Sequence, residues 1–300
     1  MKAKFWGVRG SIPTPGPTTA RYGGNTPCIE IQCPGEDAIV IDAGTGIKHL
    51  GSAWLSNLPK EIHLFMSHTH WDHIHGFPFF LPIYLPNSRI HVYGPQVQIT
   101  LARALPLNLK EVLVNQMDHA VFPVMFGSLQ AKISFQEIGP IPFHVGGIRV
   151  TPYNLNHTVI TYGYNFEWRG KKIAYQSDHE PFYNVYTREG EGDDLISQMI
   201  RQKNDSIVEM AQGVDLLIAD AMYTPEEYPR YRGWGHSSIE HVVERAVKAQ
   251  AKAVAFFHHD PGHTDADMDK LEKQGREIAT KLGAKDLRIF AAVEGSEVEL

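Results

Sequence analysis

Four histidines and one aspartate fall within nine residues, HTHWDHIHG at 68–76. His68 and His70 lie two apart, so at a strand end their imidazoles project to one side. Asp72 and His73 follow on the turn and face a second point. Imidazole and carboxylate donors without a thiolate suit divalent cations, zinc first, then manganese or iron. A hydrolytic pair of ions about 3.5 to 4 Å apart needs more donors than one motif supplies, with positions left open for water and substrate. Further donors stand where other β-rich runs end: His157 closes VTPYNLNH, Asp178 closes IAYQSD and His258 closes AVAFFH. This assigns His68, His70 and His157 to one ion and Asp72, His73 and His258 to the other, with Asp178 as the bridging carboxylate. His63, His75, His91 and His144 fall outside the pattern and receive no role.

The elements that must position these donors are short β-rich runs alternating with helical segments: AIVIDAGTG, EIHLFMSHTH, RIHVYGP, IRVTPYNLNHT, KKIAYQSDH, VDLLIADAMYT and AVAFFHHDP. Nearly all end in polar, metal-competent or Gly-rich residues, as expected of a layered α/β fold whose ligands gather where strands run out into loops. Residues 46–58 read as a short helix after the turn at 42–46. Ser237 and Glu240 have the spacing of a capping box, and Ile239, Val242, Val243, Ala246 and Ala249 form one apolar helical face behind them. Residues 193–213 read as a further helix, preceded by an acidic loop at 190–194. The irregular stretch near 96–136 reads as an insertion beside the site. No repeat or low-complexity linker interrupts 1–300, so a single domain is expected.

With 300 residues and 43% apolar content, the chain has material for a well-packed core without staples. The formal charge is −6 with both signs mixed, so no polybasic tail points to nucleic acid or an anionic membrane. No apolar window approaches the roughly 18 residues of a membrane span, and no leader is evident, so a soluble cytoplasmic protein is expected. Cys28 and Cys33 are too few for a disulfide framework or zinc ribbon and read as buried thiols rather than a redox pair.

HTHWDH at 68–73, preceded by the Asp42-Ala43-Gly44-Thr45-Gly46 turn, resembles the metallo-β-lactamase superfamily signature. The resemblance covers most of the chain and implies a four-layer αβ/βα sandwich with a binuclear site at the sheet edges. Within that superfamily, GWGHSSIEHVVERAVKAQAKAVAFFHHDP is similar to the tRNase Z and related phosphodiesterase branch, where a Gly-His-Ser/Thr motif opens a helix before the last metal-binding histidine. The motif histidine here is His236, and Asp220 in LLIADAMYT takes the place of the acidic residue that orients it, more often Glu. The branch's His-x-Ser-Pro pattern matches His258-His259-Asp260-Pro261 with Asp replacing Ser, and selects His258 over His259 as the ligand.

The resemblance implies a phosphodiesterase in which a hydroxide bridging two metal ions attacks phosphorus in line, with His236 as general acid held by Asp220. Asp72, His236 and Asp220 are the catalytic residues so implied, Asp72 being also a ligand. The Gly-rich opening GVRGSIPTPG and RYGGNTPC resembles the hairpin that lies over the site in this branch. Arg9, Arg21 or Asn25 could then reach a phosphate, and Trp234 or Tyr231, flanked by Arg230 and Arg232, could stack on a base. The long basic arm by which tRNase Z grips tRNA is not visible. A small phosphodiester such as a cyclic nucleotide or dinucleotide is therefore expected, long nucleic acid is not, and a homodimer is conceivable from the branch alone. The competing readings are a thioesterase or lactonase of the glyoxalase II type, which has no need of Asp220 and His236, and a metal-binding sensor without turnover.

Overall fold

The computed structural model describes residues 1–96, 107–183 and 195–300, which form two seven-stranded sheets. The first sheet holds β1 (Lys2–Gly7), β2 (Cys28–Gln32), β3 (Ala38–Ile41), β4 (Glu61–Phe65), β5 (Arg89–Pro95) and β6 (Lys132–Ile138). The second runs in chain order through β7 (Phe143–Val145), β8 (Ile148–Leu155), β9 (Thr161–Trp168), β10 (Lys171–Gln176), β11 (Leu216–Asp220), β12 (Ala253–Phe257) and β13 (Arg288–Ala291). The chain ends in β14 (Glu297–Glu299), which returns to the first sheet beside β1.

Neighbouring strands from β3 to β6 are parallel, as are those from β10 to β13. Strands β11 and β12 are buried along their whole length, which is why LLIA and AVAFF read as continuous apolar runs. The seven β-rich runs anticipated from sequence are strands β3, β4, β5, β8, β10, β11 and β12. Part of the stretch near 96–136 lies outside the described residues, as does the loop at 190–194. The later part of the former supplies β6, which pairs with β5 over seven positions from Arg89↔Lys132 to Pro95↔Ile138. Its alternation of half-buried and exposed residues fits an edge strand.

Helices α1 (Ile47–Ala53), α2 (Trp71–Ile74), α3 (Leu109–Asn115), α4 (Leu195–Met210), α5 (Tyr228–Tyr231), α6 (Ile239–Lys248) and α7 (Asp265–Lys281) complete the fold. The segment at 46–58 is shorter than a single helix of that span, because a 3-10 turn at Trp54–Ser56 takes over from α1. One apolar core lies between the sheets, joining Phe5, Ile29 and Phe65 of the first to Phe166, Ile218 and Phe257 of the second. A second packs α6 and α7 on the outer face of β11–β13, and a third packs α1 and α3 on the outer face of the first sheet. The order is therefore helix, sheet, sheet, helix, the four-layer sandwich expected.

The apolar face of α6 is buried as its spacing predicts, but its cap is one residue later than Ser237 suggests. Ser238 is the N-cap, and His241 rather than Glu240 closes the box. Ser237 is drawn inward instead, donating from Oγ to His179 O at 2.5 Å and accepting from the buried Arg245 Nη2 at 3.0 Å. Cys28 and Cys33 are free and buried, and burial pushes the Cys33 thiol up to about 11. Among the described residues no helix is long and apolar enough to cross a membrane.

Candidate metal centre

All the sequence-predicted donors meet at the carboxyl ends of β4, β8, β10 and β12, where the two sheets open towards solvent. Among the described residues, beside a group of three (Asp220, His236 and His258), two groups of four form, each with its ligand atoms within 4.8 Å of one another: His68, His70, His157 and Asp178, then Asp72, His73, Asp178 and His258. Asp178 belongs to both.

In the first group Asp178 Oδ2 lies 3.5 Å from His68 Nε2 and 3.6 Å from His157 Nε2, while His70 Nδ1 lies 3.0 Å and 3.1 Å from the same two nitrogens. Three imidazole nitrogens thus face one point. The opposite nitrogen of His157 donates to Gly235 O at 2.9 Å, and that of His68 donates to Ser67 Oγ at 3.1 Å, so the inward nitrogens carry the lone pairs. Burial pushes His157 down to about 4 and His68 well below the usual imidazole range, which keeps both neutral and able to ligate.

In the second group His258 Nε2 stands 3.0 Å from Asp72 Oδ2 and 3.4 Å from Asp178 Oδ1, and His73 Nε2 stands 3.3 Å and 3.2 Å from the same oxygens. His73 Nε2 is buried without a hydrogen bond because it is close to these carboxylates but not aimed along an N–H···O line. A nitrogen, two carboxylate oxygens and a second imidazole pointing at a common centre is the geometry of ligands around a cation. Burial opposes ionisation of Asp178 and Asp72, but His258, His73 and His68 outweigh it for the first and His73 and His258 for the second, so both carboxyls sit well below their usual range. The donor set therefore fits divalent metal.

Outer contacts fix these side chains. Asp42, at the end of β3 and in the left-handed region (φ 59°), accepts from His73 Nδ1 at 2.8 Å, Ser67 N at 2.7 Å, Ser67 Oγ at 2.8 Å and Tyr175 OH at 2.7 Å. Through Ser67 it also braces His68. The Ser11 amide donates to Asp72 Oδ2 at 2.8 Å. His258 itself sits at φ 58°, a strained conformation for a non-glycine residue that the surrounding ligands hold in place. A side chain at Gly10 would run into the His258 ring, so glycine is required there. His259 turns away, donating Nε2–H to Ala292 O at 2.8 Å.

His236 and Asp220 also meet as expected: His236 Nδ1 donates to Asp220 Oδ2 at 2.9 Å, so the shorter aspartate still reaches. Asp220 is held by the His179 and Met222 amides at 3.2 and 3.1 Å. Burial would depress the imidazole, but Asp220 beside it, with Asp178 and Asp72 in front, pushes it up to about 9. Its ring stacks on His258, with centroids 5.0 Å apart and planes at 18°, and it lines a cavity of about 460 Å³ with His70, Asp72, Asp178 and His258.

Glu180 escaped the sequence reading. Buried beside the site, its carboxylate accepts from Tyr228 OH at 2.8 Å, Gly233 N at 2.8 Å and Gly235 N at 3.0 Å. It thereby clamps the loop that presents both Gly235 O and His236. Gly235 adopts φ +87°, and any side chain there would collide with His157. No motif signals Glu180, which acts largely through backbone that only the fold brings near, and Asp42 stands in the turn singled out at 42–46, but its partners His73, Ser67 and Tyr175 are visible only in the fold.

The expected phosphate contacts are corrected. Arg21 is not brought to the site: its guanidinium binds Asp269 at 2.5 and 3.2 Å and the Asp265 carbonyl at 3.1 Å on α7. Arg9 is buried, with its donors on Gly23 O, Asp260 O and His263 O. The Asn25 amide donates to Glu294 Oε1 at 2.6 Å. Trp234 stands 62% exposed two residues before His236.

Residues 37–259 match the family model described as a beta-lactamase superfamily domain. Among characterised proteins, the chain is 24% identical to ribonuclease Z of Staphylococcus carnosus, over 98% of this chain and 100% of the relative, and 26% identical to ribonuclease Z of Thermococcus kodakarensis, over 86% and 83%. Among solved structures, the metallo-β-lactamase-fold protein YhfI of Bacillus subtilis superposes with a TM-score of 0.68 at 15% identity, covering 100% of this chain and 98% of that one. The short form of human tRNase Z superposes with a TM-score of 0.62 at 18% identity, covering 100% and 99%.

Proposed function

Because the chain belongs to the beta-lactamase superfamily, we propose that it is a metal-dependent phosphodiester hydrolase working with two divalent ions, zinc first among them. The observation that carries this reading is the convergence of two four-donor groups sharing Asp178 with the His236–Asp220 pair on one cavity. When bound, divalent cations supply Lewis acidity towards a phosphoryl oxygen and a nucleophile drawn from water at neutral pH.

The chain's own residues supply the rest. Asp72, braced by the Ser11 amide, and Asp178 hold negative charge at the base of the pocket, which would retain the cations that in turn attract an anionic phosphoryl group. His236, its Nδ1 proton held by Asp220, keeps Nε2 for donation to the departing alkoxide, a contribution of about 10² to 10⁴-fold. A thioesterase would not need this dyad, since its thiolate departs readily without an acid.

The substrate is a small nucleotide diester, in keeping with a formal charge of −6 and no segregated basic tract. A second reading, cleavage of an RNA strand, is favoured by the relatives named ribonuclease Z. The test pairs metal analysis with turnover of bis(p-nitrophenyl) phosphate, a thioester and a lactone. Diester cleavage by protein carrying about two ions supports the reading. Cleavage confined to thioester or lactone refutes it. His236→Ala should slow a diester with an alkoxide leaving group more than bis(p-nitrophenyl) phosphate, whose nitrophenolate leaves without an acid.

A further inference from the structure

The two tryptophans nearest the cavity are both turned outward: Trp71 is 75% exposed and Trp234 62% exposed. Their backbone positions are fixed by chemistry on either side. Trp71 lies between His70 and Asp72 at the start of α2, on the first sheet's side. Trp234 lies between Gly233 and Gly235, whose amides bind Glu180, on the second sheet's side. An indole left in water forgoes a large apolar burial. Here two do so: Trp71 lines the polar cavity, and Trp234 stands two residues before His236, which lines it too, and next to Gly235, whose carbonyl holds His157.

Each ring is propped on one side and open on another. Trp71 leans on His75 one turn later, with centroids 5.8 Å apart and planes at 39°. Trp234 meets Tyr231 edge-on at 5.4 Å, and Tyr231 lies flat on the buried Tyr223 at 4.8 Å and 12°. Such supports hold an aromatic face ready without covering it. The ligand class that matches a phosphoryl site between two aromatic faces is a phosphodiester with a planar base on each side, since any base stacks on an aromatic ring.

We propose that Trp71 and Trp234 form the two jaws of a dinucleotide site, stacking the bases on either side of the scissile phosphate. This rests on the phosphodiesterase reading and adds to it the substrate class, a diester joining two nucleosides. The same chemistry is offered by a free dinucleotide and by a linear RNA strand. A strand continuing past Trp71 would enter the adjoining cavity of about 500 Å³, where Lys48, His49 and the exposed Phe79 offer cationic and aromatic contacts.

The test uses the metal-loaded protein and a series of diesters with rising base count: methyl p-nitrophenyl phosphate with none, thymidine 5′-(p-nitrophenyl phosphate) with one and the dinucleotide ApA with two. The KM should fall with each added base by roughly 5- to 150-fold. Trp71→Ala and Trp234→Ala should each raise the ApA KM by that factor, and more than they raise that of the base-free diester. A KM that ignores base count, or equal losses on ApA and on the base-free diester, overturns the jaws while leaving the hydrolase standing. Absence of cleavage of every diester overturns the hydrolase instead. Saturable quenching of tryptophan fluorescence by ApA, lost in the double variant, is read without turnover, and its absence in the parent protein overturns the jaws whatever the activity. Tighter binding of ApApA than of ApA, abolished by Lys48→Ala, identifies a linear strand as the source. Equal binding identifies a free dinucleotide.

Discussion

The first donor group includes one half-buried imidazole at the cavity, His70, beside the buried rings of His68 and His157, whereas in the second Asp72, His73, Asp178 and His258 are all buried residues, although Asp72, Asp178 and His258 also line the cavity. The first leans on a loop carbonyl, Gly235 O, and the second on the carboxylate of Asp42 at the end of a central strand. The first has three imidazoles and one shared carboxylate, the second two imidazoles and two carboxylates. The geometry of an ion in the first group would thus follow a loop. That of an ion in the second would follow the sheet. The two positions should differ in how readily they lose metal and in which distant residues govern them.

The sharpest way to erase this difference is Asp178→Ala, which removes the only donor common to both groups. Metal content should fall at both positions and turnover by roughly 10³-fold, as several kcal/mol of charge stabilisation is lost. Residual activity near that of the parent would show that the groups work independently. Asp42→Asn should instead fall mainly on the second group, weakening its metal by about 10 to 100-fold through His73. Chelator titration followed by metal analysis reads this directly: the parent should release one ion faster than the other, and the variant should release both together. Uniform release from the parent would contradict the asymmetry.

Glu180→Gln addresses the open group through its loop. A carboxylate accepting three donors gives way to an amide that must turn an NH₂ towards N–H groups, so about 1.5 kcal/mol or roughly tenfold in turnover should be lost. The slower-released ion should be untouched. The smallest effect lies outside both groups. Burial holds His241, which caps α6, down to about 4 against about 6.5 when unfolded. The folded state then binds fewer protons between those values, so its stability is complete above pH 6.5 and declines as pH falls towards 4. Thermal melts across that window should show a decline that His241→Gln reduces in metal-free protein.

The convergence of these candidate donors was legible in the sequence because metal chemistry restricts donors to few residue types and strand ends restrict their place. The same logic failed for Arg9, Arg21 and Asn25. Nothing in a guanidinium's own neighbourhood announces that Asp269, 248 positions away, will engage Arg21. It failed by one residue at Ser237, because two adjacent serines offer the same capping chemistry and only packing against His179 and Arg245 chooses between them.

The sequence by itself determined which candidate donors would converge, the seven strands that position them, the four-layer architecture through its resemblance and the contact of His236 with Asp220. The tertiary structure alone decided that Asp42 and Glu180 brace the two halves of the site, that His259 faces away, and that Trp71 and Trp234 are both left exposed. The physical reason is range. Residue type and local period specify what a side chain can do, whereas buried partners, shared carboxylates and exposure are set by chain segments that meet only once the two sheets have packed.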